Sequence, residues 1–328
     1  MNAFRYVRAD STDAAIHAAR DPAAMFIGGG TNLLDLVKSD VEHPATLIDI
    51  NRLDLAAIAP LPGGGLRIGA LARNSDTANH AEVRRRYPLL VEALLAGASP
   101  QLRNMATTGG NLLQRTRCYY FVDPGFAHCN KRVPGSGCAA REGCNRIHAI
   151  LGASEQCIAT HPSDMCVALA ALDAVVRVRG GDGERSIPFA RFHRLPGDDP
   201  TRDTTIAQGE LITAVDLPAK GFAGHSHYLK LRDRASFAFA LVSVAAALEL
   251  DDGVVREARI ALGGVAHKPW RATEAEQGLV GKRLEPAVLD ASAKLALADA
   301  RPYRDNAFKV ELAKRAIVRA LQTAGGVA

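Results

Sequence analysis

The chain reads as an α+β protein of more than one domain, and three observations carry that reading. Its 328 residues give ample core for two or three domains. Short apolar runs bounded by turn residues alternate with helically spaced segments through the early part of the chain. The last part runs strands first and helices after, the order of a separate α+β unit.

In order, Phe4–Val7 predicts a short strand. Ser11 caps a helix through Ala14–Ala19, with Asp13 in its first turn. Met25–Ile27 is an apolar strand that runs into Gly28-Gly29-Gly30, and Leu33–Val37 is a short helix after it. Thr46–Ile50 closes this first unit as a strand. Pro60–Gly65 reads as a joint between units. Leu66–Ile68 is a strand, Ser75–Ala81 starts a helix, and Leu89–Ala96 is a helix stopped by Gly97. A helix over Ser163–Leu172 and strands at Ala174–Arg179 and Leu211–Leu217 complete the second unit, with Pro218–Gly224 as a linker. Strands at Tyr228–Leu231, Ala240–Leu250 and Glu257–Leu262 precede helices at Glu285–Ala298 and Asn306–Thr323.

Apolar residues make up 48% and charged residues 23%, an ordinary balance for a soluble globular chain. The net charge of +5 is mild, and no aromatic RNA-binding motif or Lys/Arg-dense helix is present, so nucleic acid is not expected as a partner. The N-terminus has no apolar signal core, and the apolar run near Phe237–Leu248 is too short to cross a bilayer. No nucleophile elbow is present, which sets a hydrolase aside. His225 and His227 form a lone pair at a linker and read as surface.

Two glycine-rich turns carry chemistry. Gly28-Gly29-Gly30-Thr31-Asn32 lies between a strand and a helix, so its backbone N–H groups and the helix start can face an anion. A Rossmann fingerprint would need glycine where Leu33 stands, and no P-loop Lys follows. Taken alone, the segment is equally a tight turn. Thr107-Thr108-Gly109-Gly110-Asn111 is a second such turn, and the two together could clasp a pyrophosphate from both sides. Gly29 in particular is expected to need φ > 0, so that Gly29→Val would fill the cradle. Ser163 and Asp164 read as a helix cap, or as a carboxylate for a ribose hydroxyl or adenine.

All six cysteines fall between Cys118 and Cys166. Their spacing matches neither zinc ribbons nor the bacterial ferredoxin run, so metal binding and buried free thiols both stay open. The stretch Arg115–Arg146 has little periodicity and is too long for a plain loop, so something must staple it. Its Arg115, Arg117, Lys131, Arg132, Arg141 and Arg146 would offset the negative charge of a thiolate-bound cluster. Tyr119, Tyr120 and Phe121 read either as an apolar patch under the loop or as neighbours of a cofactor ring.

The segments FIGGGTNLLDL, ATTGGNLLQRTRCYYF, CIATHPSDM, KLRDRASFAFALVSVAAAL and ALGGVAHKPWR together resemble the FAD-binding medium subunit of the xanthine oxidase family of molybdenum hydroxylases. The likeness is nearest to the flavin subunit of bacterial periplasmic aldehyde oxidoreductases. That subunit carries an inserted 4Fe-4S cluster, as does the corresponding subunit of 4-hydroxybenzoyl-CoA reductase. The resemblance implies a two-subdomain FAD-binding domain of the vanillyl-alcohol oxidase (PCMH) type, followed by an α+β CO dehydrogenase flavoprotein C-terminal domain. The implied units are residues 1–57, residues 58–218 with an iron–sulfur loop at 115–157, and residues 225–328. It implies that Ile27, Gly28, Gly29, Gly30, Thr31, Asn32, Leu33 and Leu34, with Thr108, Gly109, Gly110 and Asn111, embrace the FAD pyrophosphate. Asp164 would hold the adenosine part and Lys230 would lie near the flavin. The matching cluster ligands are Cys118, Cys129, Cys138 and Cys157, with Cys144 and Cys166 as packing thiols. Three glycines stand in the first turn where many relatives have two.

The resemblance further implies a heterotrimer with a molybdenum-cofactor large subunit and a 2Fe-2S small subunit. This chain would then pass electrons from aldehyde oxidation to an external acceptor, with no acid–base pair of its own. Export to the periplasm beside a signal-bearing partner is implied too, with a cytoplasmic location as the alternative. A stand-alone FAD oxidase and a zinc-stapled interaction domain are the competing readings.

Overall fold

The computed structural model describes residues 2–327. Three sheets organise it. The first is parallel, with strands β1 (Arg5–Arg8), β2 (Ala24–Ile27) and β3 (Thr46–Asp49) in the order β1-β3-β2. Ser11 caps the helix Thr12–Ala18 by accepting from the Ala14 amide at 3.1 Å. The central strand β3 is buried along its whole length, as a strand covered on both faces must be.

The second sheet is antiparallel, built from β4 (Ile58–Pro60), β5 (Leu66–Gly69), β6 (Val175–Gly180), β7 (Gly183–Pro188) and β8 (Leu211–Leu217) in the order β4-β5-β8-β6-β7. The segment Pro60–Gly65, expected to be a joint, is instead the turn of the β4–β5 hairpin. Leu61 donates its amide to the Gly65 carbonyl at 2.9 Å, and Gly64 takes φ +80°. The helices Pro88–Ala96 and Asp164–Ala171 pack together beside this sheet.

The third sheet holds β9 (Ser226–Leu231), β10 (Val242–Asp251), β11 (Val254–Gly263) and β12 (Trp270–Arg271) in the antiparallel order β12-β11-β10-β9. Both faces of β10 are buried. Val242, Val244, Ala246 and Leu248 point into a core with the helices Thr273–Leu279, Pro286–Ala296 and Phe308–Gly325. The alternate residues Ala245 and Ala247 join the core of the second sheet, against Pro88–Ala96 and Asp164–Ala171. A strand with two buried faces explains the unbroken apolar run in the sequence. The core therefore continues from the second sheet into the third, across Pro218–Gly224.

The stretch from Arg115 to Cys157 carries one turn of helix, Tyr119–Val122, and otherwise folds on its own polar contacts. Arg132 Nη1 donates to the carbonyls of Tyr120, Phe121 and Asp123 at 2.8–3.0 Å. Asn130 donates to the Gln156 carbonyl at 3.1 Å and accepts from the Gly137 amide at 2.8 Å. Among the described residues, no helix is long and apolar enough to cross a membrane.

Candidate functional site

A cleft of about 780 Å³ lies between the first turn, the helix Asp164–Ala171 and the third sheet. That volume is in the range of small-molecule and cofactor sites. The first glycine turn forms one wall, through Thr31 and Asn32. Ile27 ends β2, and Leu33 and Leu34 start the helix Leu33–Lys38. Among the described residues, no protein group accepts from the backbone N–H groups of Gly28 to Leu33. Six successive donors without a protein acceptor, beside a cleft, suit an anion. Two buried side-chain atoms of residues lining the same cleft, Asn32 Nδ2 and Asn74 Oδ1, are also without partners among the described residues. A polar ligand that accepts from one and donates to the other would satisfy both.

The second turn differs from its expected form. Thr108–Leu112 is a short helix capped by Thr107, whose Oγ1 accepts from the Gly110 amide at 3.2 Å. Thr108 donates to the Ala72 carbonyl at 2.9 Å, Gly109 to the Ala70 carbonyl at 2.8 Å, and Asn111 to the Thr107 carbonyl at 2.8 Å. Its amides are thus spent inside the protein, and it buttresses the first turn instead of mirroring it. Gly110 and Asn111 still line the cleft. Positive φ falls on Gly30, at +71°, and not on Gly29. Gly29 is needed for a different reason: a Cβ there would stand 1.9 Å from the Met105 carbonyl oxygen.

Asp164 and Lys230 meet at 2.7 Å, and both side chains are nearly buried. Tyr228 donates its hydroxyl to Asp164 Oδ1 at 2.7 Å, and Lys230 also donates to the Ala96 carbonyl at 3.1 Å. Burial raises the Tyr228 phenol well above its ordinary value, and the Asp164 charge adds to that. Both members of the ion pair line the cleft. Asp164 and Lys230, expected at the adenosine and near the flavin respectively, are in direct contact with each other.

A second, smaller cavity is lined by Cys118, Cys129, Cys138 and Cys157 together. Cys129 and Cys138 sit opposite each other in an isolated antiparallel bridge. Cys144 is exposed, and Cys166 is buried in the helix Asp164–Ala171; neither lines this cavity. Among the described residues, no three of the four cavity sulfurs lie within 4.8 Å of one another. Sulfurs on a single zinc at ~2.3 Å would sit ~3.8 Å apart. No three of these sulfurs are therefore gathered as one tetrahedral zinc would gather them. Burial pushes the Cys118 thiol up to about 12 and Cys157 up to about 11. Backbone amides oppose this, from Phe121 and Tyr120 at Cys118, from Ala159 at Cys157, and from Ile158, Ala140 and Arg141 at Cys138. The cavity thus gathers four thiols, three of them with backbone N–H groups aimed at the sulfur.

The basic residues of the loop do not surround this cavity as expected. Arg115 pairs with Glu42 and Asp203, Arg117 with Asp35, Arg141 with Glu155, and Arg146 with Asp233. Arg132 is spent on backbone carbonyls. Of the six, Lys131 alone lines the cavity, and its ammonium sits 2.5 Å from Asp203. Burial would raise the Asp203 carboxyl, but Lys131 and Arg115 hold it well below the usual range. These charges staple the loop to its surroundings.

The helix Tyr119–Val122 stands between the two cavities. Tyr119 and Val122 line the cleft, while Tyr120 and Phe121 line the cysteine cavity. Tyr120 and Phe121 form the apolar patch under the loop, while Tyr119 faces the cleft. His225 is exposed and His227 pairs with Glu92, so they form no metal site. His161, Cys166 and His193 bring ligand atoms within 4.8 Å, all buried. However, His161 Nδ1 accepts from the Ser163 amide at 3.3 Å, which leaves the proton on Nε2. His193 Nε2 bonds the Leu112 carbonyl at 2.9 Å, leaving Nδ1 bare. With its proton on Nε2, His161 offers no lone pair there to a metal, and neither His161 Nε2 nor His193 Nδ1 has a hydrogen-bond partner among the described residues.

Residues 2–220 match the FAD binding domain in molybdopterin dehydrogenase, and residues 227–324 match the CO dehydrogenase flavoprotein C-terminal domain. The chain is 54% identical to the aldehyde oxidoreductase FAD-binding subunit PaoB of Escherichia coli, covering 99% of each chain. It is 29% identical to the glyceraldehyde dehydrogenase medium chain of Sulfolobus acidocaldarius, over 89% of this chain and 86% of that one. The fold superposes on a chain of the carbon monoxide dehydrogenase of Hydrogenophaga pseudoflava with a TM-score of 0.78 and 26% identity, covering 100% and 99% of the two chains. The chain belongs to the FAD-binding medium subunits of the xanthine oxidase family of molybdenum hydroxylases, which work within multi-subunit oxidoreductases.

Proposed function

We propose that this chain is the FAD- and 4Fe-4S-binding electron-transfer subunit of a molybdenum-containing aldehyde oxidoreductase. It stands with a molybdenum-cofactor large subunit and a 2Fe-2S small subunit, and it passes their electrons to an external acceptor. The likeness to an aldehyde oxidoreductase subunit along 99% of the chain supports the substrate class. The observation that carries the relay is the single wall between the two cavities, the helix Tyr119–Val122. A helix with its side chains is about 10–12 Å across, so groups on its two sides stay close.

Bound FAD supplies the junction between one-electron and two-electron transfer, and a 4Fe-4S cluster supplies a one-electron relay. The protein's part is binding and positioning. The free amides of Gly28 to Leu33 hold the pyrophosphate, with the start of the helix Leu33–Lys38 behind them. Asn32 Nδ2 and Asn74 Oδ1 satisfy polar atoms of the same ligand. Asp164 and Lys230 act as one unit on one stretch of it. Cys118, Cys129, Cys138 and Cys157 hold the cluster in a cavity closed by Tyr120 and Phe121, which keeps water out. Tyr119 offers its ring to the cleft.

An anaerobic experiment tests this reading. Aldehyde added to the purified complex should bleach the flavin band, and an acceptor should restore it. A flavin that stays oxidised while the large subunit still turns over aldehyde with an artificial dye would contradict the relay. Export to the periplasm beside a signal-bearing partner belongs to the same proposal, and cell fractionation with and without that partner's signal tests it.

A further inference from the structure

The cysteine cavity has a neighbour that the sequence did not single out. His148 is buried, and its Nε2 lies 3.0 Å from Cys118 Sγ. Its Nδ1 is buried with no partner. A neutral imidazole carries one N–H and one bare nitrogen. Burying an N–H with no acceptor costs more than burying a lone pair with no donor, so the proton belongs on Nε2. That N–H then points at sulfur. The backbone that carries the ring is fixed on both sides. The His148 carbonyl accepts from Lys309 Nζ at 2.8 Å and from Asn306 Nδ2 at 3.2 Å. The His148 amide donates to the Asn145 carbonyl at 3.0 Å. His148 does not line the cavity itself, so it stands behind the sulfur and not among the ligands.

We propose that His148 is a positioning residue that donates its Nε2–H to the Cys118 sulfur and thereby sets the reduction potential of the iron–sulfur group held by the four cysteines. The inference rests on the cluster reading above. A donor to a ligand sulfur stabilises the more negative, reduced state over the oxidised one, so it raises the potential. No proton is gained or lost. The effect comes from one fixed N–H, and the charge of the imidazole plays no part.

The test uses the whole complex, with iron analysis and a redox titration followed by electron paramagnetic resonance. His148→Phe keeps a ring of similar size and removes the donor. His148→Gln restores an N–H that can reach the sulfur. Removing a hydrogen bond of this kind should change the reduced-to-oxidised ratio at a fixed potential roughly tenfold, ~59 mV for one electron. The expected result is parental iron in His148→Phe with a lower midpoint, and a His148→Gln midpoint near the parent's. The latter supports the donor role even where His148→Phe loses iron. Parental iron in His148→Phe with an unmoved midpoint overturns the proposal, and so does loss of iron from both variants. A parental complex without iron fails differently: it removes the cluster reading before His148 is tested.

Discussion

Gly29→Ala asks the most of the two-turn arrangement for the smallest change. The new methyl group would stand 1.9 Å from the Met105 carbonyl oxygen and 2.7 Å from its carbon. Both atoms are backbone, so neither can swing aside as a flexible side-chain tip would. Cβ atoms essentially never come within 3.0 Å of a neighbour, so one turn must retreat by about 1 Å. Gly29 has no positive φ to lose, so the cost is overpacking alone. Overpacking costs ~1–3 kcal/mol, and a backbone-on-backbone clash belongs at the top, ~3 kcal/mol. At roughly 2–4 °C per kcal/mol, the melting midpoint should fall by roughly 6–12 °C. The same retreat moves the free amides of Gly28 to Leu33, so bound flavin should fall as well. The assay is thermal unfolding together with flavin absorbance per protein. Gly63→Ala is the control, because nothing lies within 4 Å of its added methyl. A Gly29→Ala protein with parental flavin content and parental melting would refute the reasoning.

Other expectations follow from the same geometry. Cys138→Ser should remove cluster iron, whereas Cys144→Ser should leave it intact; equal iron in the two variants would show that the ligand set is misassigned. Asp164→Ala strands a buried ammonium and should cost ~3–5 kcal/mol in denaturant unfolding. Lys230→Ala should lose flavin to a similar degree, and the double variant should be little worse than either single one. Fully additive losses would mean that the two residues act at separate places. Lys309 is fully buried and donates to the carbonyls of Ile147, His148 and Gly264, while burial and Arg146 lower its ammonium to about 7. The unfolded chain then binds the extra proton between about pH 7 and the ordinary 10.5. Stability relative to Lys309→Met should therefore rise with pH across that window, by up to ~1.4 kcal/mol per pH unit. A flat difference would show that Lys309 keeps its ordinary affinity for protons.

Much of the fold was legible because single local signals settled it. Ser11 before an apolar-periodic run, and Met25–Ile27 before three glycines, each specify an element without tertiary help. The double-buried strand β10 was legible for the same reason, as an unbroken apolar run. The misses lie where tertiary contacts outvote composition. Glycine disfavours helix, so Thr108–Leu112 reads as a turn, yet the Thr107 cap and contacts to Ala70 and Ala72 hold it helical. Strand β7 is nearly all exposed and shows no apolar alternation, so only its pairing with β6 defines it. The hairpin at Pro60–Gly65 passed for a joint because its outer strand is three residues long.

In the site, residue type was readable and geometry was not. The first turn could be seen as an anion cradle, but its six free amides could not. The four cavity cysteines came from family likeness, because their irregular spacing has no local logic. Only the folded loop brings them together. Tyr228 beside Asp164 and His148 behind Cys118 left no sequence signal at all. A lone histidine in an apolar segment reads as core until a sulfur is found 3.0 Å away.

The most direct test is to separate this subunit from its partners anaerobically and without denaturation, then assay flavin, iron and acid-labile sulfide on it alone. The account predicts FAD together with iron and sulfide in equal amounts. Flavin on a folded subunit with no iron, or zinc in place of iron, would contradict it.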